Sequence, residues 1–149
     1  MNCNASVVWE GTFRQGFGIL STESGALSKT EYSYRTCFEG EIGVNPYELI
    51  AGALGACYSM ALAKELELCG LSHSRIDTTV TLTLEKFSGE WMTPQIQMDL
   101  CAQVPGATQS KFISAALEAK AKSPIARLLN ANISMTASLN AANKIFQFE

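Results

Sequence analysis

The sequence holds a single histidine, His73, and five cysteines, no two of which stand in a C-x-x-C spacing. A Ser-His-Asp triad or a structural metal centre has almost nothing to be built from, so neither a metal nor another cofactor is expected. An odd cysteine count without paired spacing argues against a secreted disulfide framework and for a reducing compartment. The charge is also unremarkable, with 11 basic against 14 acidic side chains, a net charge of −3 and no basic run. That balance argues against a nucleic-acid or anionic-membrane partner. Residues 1–6 carry no basic region followed by an apolar run, and no stretch reaches the ~18 apolar residues that span a bilayer, so the expectation is a cytoplasmic protein with no membrane contact. Internal repeats and linkers are lacking too. At 149 residues the chain is read as one domain over residues 6–140, followed by a tail, 141–149.

What is present alternates between strand and helix patterns. Ser6 to Phe13 and Phe17 to Thr22 read as a hairpin around Arg14-Gln15-Gly16. Tyr32 to Phe38 alternates with period two and reads as a third strand, which would put Arg35 and Cys37 on one face about 7 Å apart. Asn45-Pro46-Tyr47-Glu48 then supplies a cap residue, a proline at the first helical position and an acid three residues after the cap. Running on from Leu49 to about Leu68, the helix it opens is apolar nearly all round for four turns, with only Ser59 polar. It should be buried and central.

Two alternating strands follow, with apolar positions from Ile76 to Leu84 and from Ile96 to Val104, joined through Ser88-Gly89-Glu90. Cys101 falls on the polar face of the second. A helix from about Thr108 to Lys122 with an apolar stripe of Phe112, Ile113, Ala116 and Leu117, a short helix from Pro124 to about Leu129 capped by Ser123, and a last strand from Ile133 to Leu139 complete an α+β chain. One sheet and one further helix leave so apolar a central helix under-covered, which predicts a homodimer.

Seven stretches follow one another along the chain: Trp9-Glu10-Gly11, Ser21-Thr22-Glu23-Ser24-Gly25, Phe38-Glu39-Gly40-Glu41 with Gly43 and Asn45-Pro46, Glu48-Leu49-Ile50, Ala56-Cys57-x-Ser59-Met60-Ala61-Leu62, Ile76-Asp77-Thr78-Thr79, and Lys120-Ala121-Lys122-x-Pro124. In that order they resemble the family of osmotically induced protein C (OsmC) and organic hydroperoxide resistance (Ohr) proteins. The resemblance implies antiparallel sheets around a long buried central helix in an intertwined homodimer, with active sites at the subunit interface. It also implies reduction of organic hydroperoxides by two cysteines, in oxidative or osmotic stress defence. The nucleophilic cysteine of the family matches Cys57. Its resolving cysteine matches Ser123, which cannot form a disulfide. The acid that follows the family's Asn-Pro pair matches Tyr47, with Glu48 one place later, and the OsmC-type arginine matches Cys37.

A thiol set among apolar groups stays protonated at neutral pH, so a nucleophilic Cys57 needs a nearby cation or helix N-terminus. Asn45 is about three turns away, too far for its helix end to act. The start of the short helix at Pro124, Arg35 beside Cys37, and Arg14 in the first hairpin are the candidates. Cys37 is also a candidate resolving thiol, provided its Cα comes within about 7 Å of that of Cys57. Three functions follow: a hydroperoxide reductase resolved by an external thiol or by Cys37, a binding module holding an apolar ligand without turnover, and a redox sensor in which Cys57 is oxidised as a signal.

Overall fold

The computed structural model describes residues 1–91, 95–129, 131–140 and 145–148. They form two compact units, Met1–Leu49 and Ile50–Glu149.

In the first unit β1 (Ala5–Glu10), β2 (Phe17–Thr22) and β3 (Thr30–Ser33) make an antiparallel sheet in that order. The first hairpin is wider than the sequence pattern suggests. Pairing stops at Glu10 opposite Phe17, because Gly11 takes a positive φ of 90° and the Gly16 amide turns back to the Thr12 carbonyl at 2.7 Å. Gly18 has no substitute: a Cβ there would lie 2.2 Å from the Tyr32 ring, which also packs on Trp9 with centroids 5.6 Å apart.

The third strand is shorter than expected. It ends at Ser33, and Tyr34–Phe38 is a one-turn helix, α1. The Ser33 side chain accepts from the Thr36 amide while the Thr36 side chain accepts from the Ser33 amide. This reciprocal cap satisfies two backbone donors at once and overrides the period-two pattern of the side chains.

Helix α2, Pro46–Leu68, starts as the sequence predicts, with the Asn45 Oδ1 accepting from the Tyr47 amide at 2.9 Å. Glu48, however, is exposed, and among the described residues its carboxylate makes no bond back to the cap. By length and composition α2 is also the one described helix that is apolar enough to cross a membrane, contrary to the sequence expectation that no such stretch exists. Its Leu54, Tyr58, Leu62 and Leu66 instead pack fully buried in a core with a sheet and a second helix.

That sheet has the order β4-β7-β8-β9. Strands β4 (Arg75–Thr83) and β7 (Gln95–Gln103) form the expected antiparallel pair, with Ile76, Val80 and Leu82 opposite Ala102, Met98 and Ile96. Between them Lys86–Phe87 (β5) and Glu90–Trp91 (β6) make a small hairpin, so Glu90 is strand and not connection. Positive φ at Ser88 (50°) and Gly89 (87°) gives the tight turn that such a hairpin needs. Strand β8 (Ile133–Leu139) runs parallel to β7, an arrangement that requires a crossover. The crossover is α3 (Gln109–Lys122) and α4 (Pro124–Leu128). The sheet does not end at β8. Ile145–Phe148, within the segment read from sequence as a tail, forms β9 antiparallel to it.

On α3 the buried residues are Phe112, Ala115, Ala116 and Ala119, not the stripe of Phe112, Ile113, Ala116 and Leu117. Leu117 is 40% exposed. The helix thus buries Phe112 and three alanines in the core, and Ile113 stays half-buried beside them.

Tyr58 ties α2 to α3, its hydroxyl donating to the Ala116 carbonyl at 3.2 Å. Burial pushes its phenol above the ordinary value of 10. Above about pH 10 the unfolded chain therefore loses a proton that the folded chain keeps. Stability should fall there as pH rises, by up to about 1.4 kcal/mol per pH unit from this one group. Lys122 adds to the trend, since its bond to Glu65 and then that to Glu118 raise its pKa, a contribution present at neutral pH and lost at high pH. Urea midpoints between pH 9 and 11 should decline less steeply in Tyr58→Phe than in the wild type. Parallel curves would sink the assignment.

Candidate functional site

Cys57 is half-buried on α2, and its setting follows from helix geometry. At about 100° per residue, Leu54, Tyr58, Leu62, Glu65 and Leu66 form the core row. Ser59 lies on one flank of that row. Its hydroxyl donates to the Gly55 carbonyl at 2.9 Å and meets the Thr78 hydroxyl of β4 at 2.8 Å. Gly55 sits in the same contact, where an added Cβ would stand 3.3 Å from a methyl group of Val80.

Ser59 is two residues from Cys57, about 200° round the helix, so the thiol lies on the flank away from β4. That flank is the uncovered one: Ile50 is 37% and Met60 67% exposed. The expectation of burial on every side thus holds for only one face of α2 in the single chain.

Ser123 joins α3 to α4. Its amide donates to the Ala119 carbonyl and its carbonyl accepts from the Arg127 amide. The side chain caps nothing. It is wholly buried, and its hydroxyl has no hydrogen-bond partner among the described residues. The reading of Ser123 as an ordinary side-chain cap is therefore corrected. Nearby, Lys122 bridges the buried Glu65 of α2 at 3.1 Å and Glu118 of its own helix at 3.1 Å.

The other candidates belong to the first unit. Since α1 is helical, Arg35 and Cys37 stand two residues apart on a helix and do not face each other. The shared strand face is overturned. Arg35 pairs with Glu41 at 3.1 Å with both side chains well exposed, an interaction of small energy. Cys37 is half-buried, its sulfur 4.0 Å from the Thr36 hydroxyl and its carbonyl 3.5 Å from the Asn45 Nδ2.

Arg14 and Tyr47 share one aromatic cluster. The Arg14 guanidinium lies 5.0 Å over the Tyr34 ring. Tyr34 packs on Phe38 with centroids 5.1 Å apart, and Phe38 on Tyr47 at 6.0 Å. Tyr47 thus packs against an aromatic ring, while Glu48 points outward. Glu41 was not singled out from sequence as a partner of Arg35. The only signal was its place in the Phe-Glu-Gly-Glu word, because the turn that returns it to Arg35 depends on the unforeseen helix. Among the described residues no group of three or more His, Cys, Asp or Glu is placed to hold a metal ion.

The two units define an α+β protein whose long central helix presents one half-exposed cysteine on an otherwise apolar flank. The chain belongs to the OsmC-like protein family, whose model matches residues 38–138. It is 39% identical over 133 residues to the peroxiredoxin OsmC of Escherichia coli K12, covering 89% of this chain and 93% of that one, and equally similar to the peroxiredoxin OsmC of Shigella flexneri. Solved structures agree on the fold. An OsmC-like protein from Mycoplasma pneumoniae gives a TM-score of 0.72 at 10% identity, covering 93% of this chain and 97% of that one. The organic hydroperoxide resistance protein OhrB of Bacillus subtilis gives 0.60 at 19%, covering 91% and 97%.

Proposed function

We infer that this protein is a thiol peroxidase that reduces organic hydroperoxides through Cys57 and relies on an external thiol to complete the cycle. The observation that carries this reading is the half-exposed Cys57 on the uncovered apolar flank of α2, inside the segment that matches the OsmC-like family. Relatives named peroxiredoxins at 39% identity support it.

The thiolate of Cys57 attacks the outer peroxide oxygen, and the O–O bond breaks. The leaving alkoxide takes a proton to give an alcohol, and Cys57 becomes a sulfenic acid. With serine at 123, an external thiol then condenses with the sulfenic acid, releasing water. A second thiol frees Cys57 from the mixed disulfide.

The open flank of α2 also supports a homodimer in which a second copy covers the helix, since an apolar face of this extent is otherwise left in water. A cytoplasmic location suits a reductase that draws on external thiols. A second reading, an apolar-ligand binder or redox sensor on the same scaffold, is favoured by Tyr47, which packs on Phe38 where the resemblance calls for an acid.

Peptide mass spectrometry after one equivalent of an organic hydroperoxide, with thiols trapped at once, separates the readings. One oxygen on Cys57 is expected. A disulfide from Cys37 to Cys57 would mean internal resolution, and an unmodified Cys57 beside persisting peroxide would leave the ligand-binding reading.

A further inference from the structure

A cavity of about 350 Å³ opens in the second unit where α3, α4 and the start of β8 meet. Its size is at the small end of the roughly 300–1,000 Å³ typical of small-molecule sites. Leu117, Ala126 and Ile133 contribute apolar wall, and Lys120, Arg127 and Asn132 contribute the polar groups. Among the described residues no carboxylate lines it. Glu118, two residues from Lys120 in sequence, and Glu65 of α2 are both held by Lys122. Among the described residues neither Lys120 nor Arg127 has an ion-pair partner.

We propose that this cavity is a binding site for a small amphiphilic anion, a compound with a carboxylate or phosphate head on a short apolar body. The Arg127 fork and the Lys120 ammonium would take the head by charge-assisted hydrogen bonds, the Asn132 amide would donate beside them, and the apolar wall would take the body. Burial pushes the Lys120 ammonium below its usual pKa. It is therefore a partly desolvated cation that no anion among the described residues compensates, and a bound anion would relieve that cost. The site uses neither Cys57 nor the peroxide chemistry and stands independently of it.

The test is an amide-resolved NMR titration of the full chain with hexanoate, hexyl phosphate, hexan-1-ol and inorganic phosphate. Hexanoate or hexyl phosphate should saturate and shift the amides of Lys120, Arg127 and Asn132, and whichever binds more tightly identifies the head. Hexanol and inorganic phosphate should each bind at least about tenfold more weakly, since each lacks half of the recognition. Arg127→Gln, at an exposed position, should weaken hexanoate by about tenfold, and Lys120→Met should do the same if it folds. Equal binding of hexanol, equal binding of inorganic phosphate, shifts scattered away from the cavity, or an unaffected Arg127→Gln would each overturn the proposal.

Discussion

Cys57→Ser should abolish hydroperoxide consumption, lowering kcat/KM by at least about a thousandfold, as the loss of a nucleophile does in other enzymes. Serine is nearly the size of cysteine, and Cys57 is only half-buried, so stability should stay within about 1 kcal/mol of the wild type. The difference is chemical. A hydroxyl has almost no anion at neutral pH and is a poor nucleophile toward peroxide oxygen, whereas a thiolate is a good one.

Peroxide loss measured with excess dithiothreitol, after subtraction of the uncatalysed rate, gives the readout. Cys37→Ser provides the comparison. If an external thiol resolves the sulfenic acid, Cys37→Ser keeps its rate. If it falls with Cys57→Ser, the two cysteines act together. A Cys57→Ser protein that still consumes peroxide at the wild-type rate would end the thiol-peroxidase reading.

Ser123→Cys should act on both stability and chemistry. The Ser123 hydroxyl is fully buried without a partner among the described residues, a state that costs about 1–3 kcal/mol. A thiol is cheaper to bury, behaving as a small hydrophobe with only a weak donor. Stability should rise by about 1 kcal/mol, or about 2–4 °C in Tm for a chain of this size. Urea denaturation under reducing conditions would measure it, and a loss of stability would mean that the pocket around Oγ has no room for sulfur.

The chemical expectation rests on the family match at position 123. After peroxide treatment the introduced thiol should condense with the Cys57 sulfenic acid, forming a disulfide and releasing water, without any external thiol. In the wild type the sulfenic acid should persist under the same conditions. Peptide mapping distinguishes the two states. A sulfenic acid at Cys57 beside a free introduced thiol would show that this scaffold does not bring the positions together, leaving resolution to an external thiol or to Cys37.

Most of the fold was legible where local signals and burial agreed. The β4–β7 pair, the Asn45 cap, the Thr108 start of α3 and the Pro124 start of α4 follow from alternation, capping and proline placement, which act within a few residues. Cys57 was singled out because its neighbours fit the words of a known family, and the structure places it half-buried on α2. What those signals could not decide was competition. At Tyr32 to Phe38 the side chains favour a strand, yet a reciprocal cap between Ser33 and Thr36 makes a helix and sends Arg35 to Glu41.

Other outcomes depend on packing between distant segments. The choice of Phe112 and three alanines as the buried row of α3 was set by packing in the core, and the extra strand β9 by the free edge of β8. The burial of Ser123 with its hydroxyl unpartnered is likewise a property of the α3–α4 junction. Sequence by itself therefore determined where the helices start, which strands pair locally and which cysteine to watch. Only tertiary structure decided which face of α2 is covered and where the unpaired cations of α3 and α4 meet, because those depend on contacts between residues far apart in the chain.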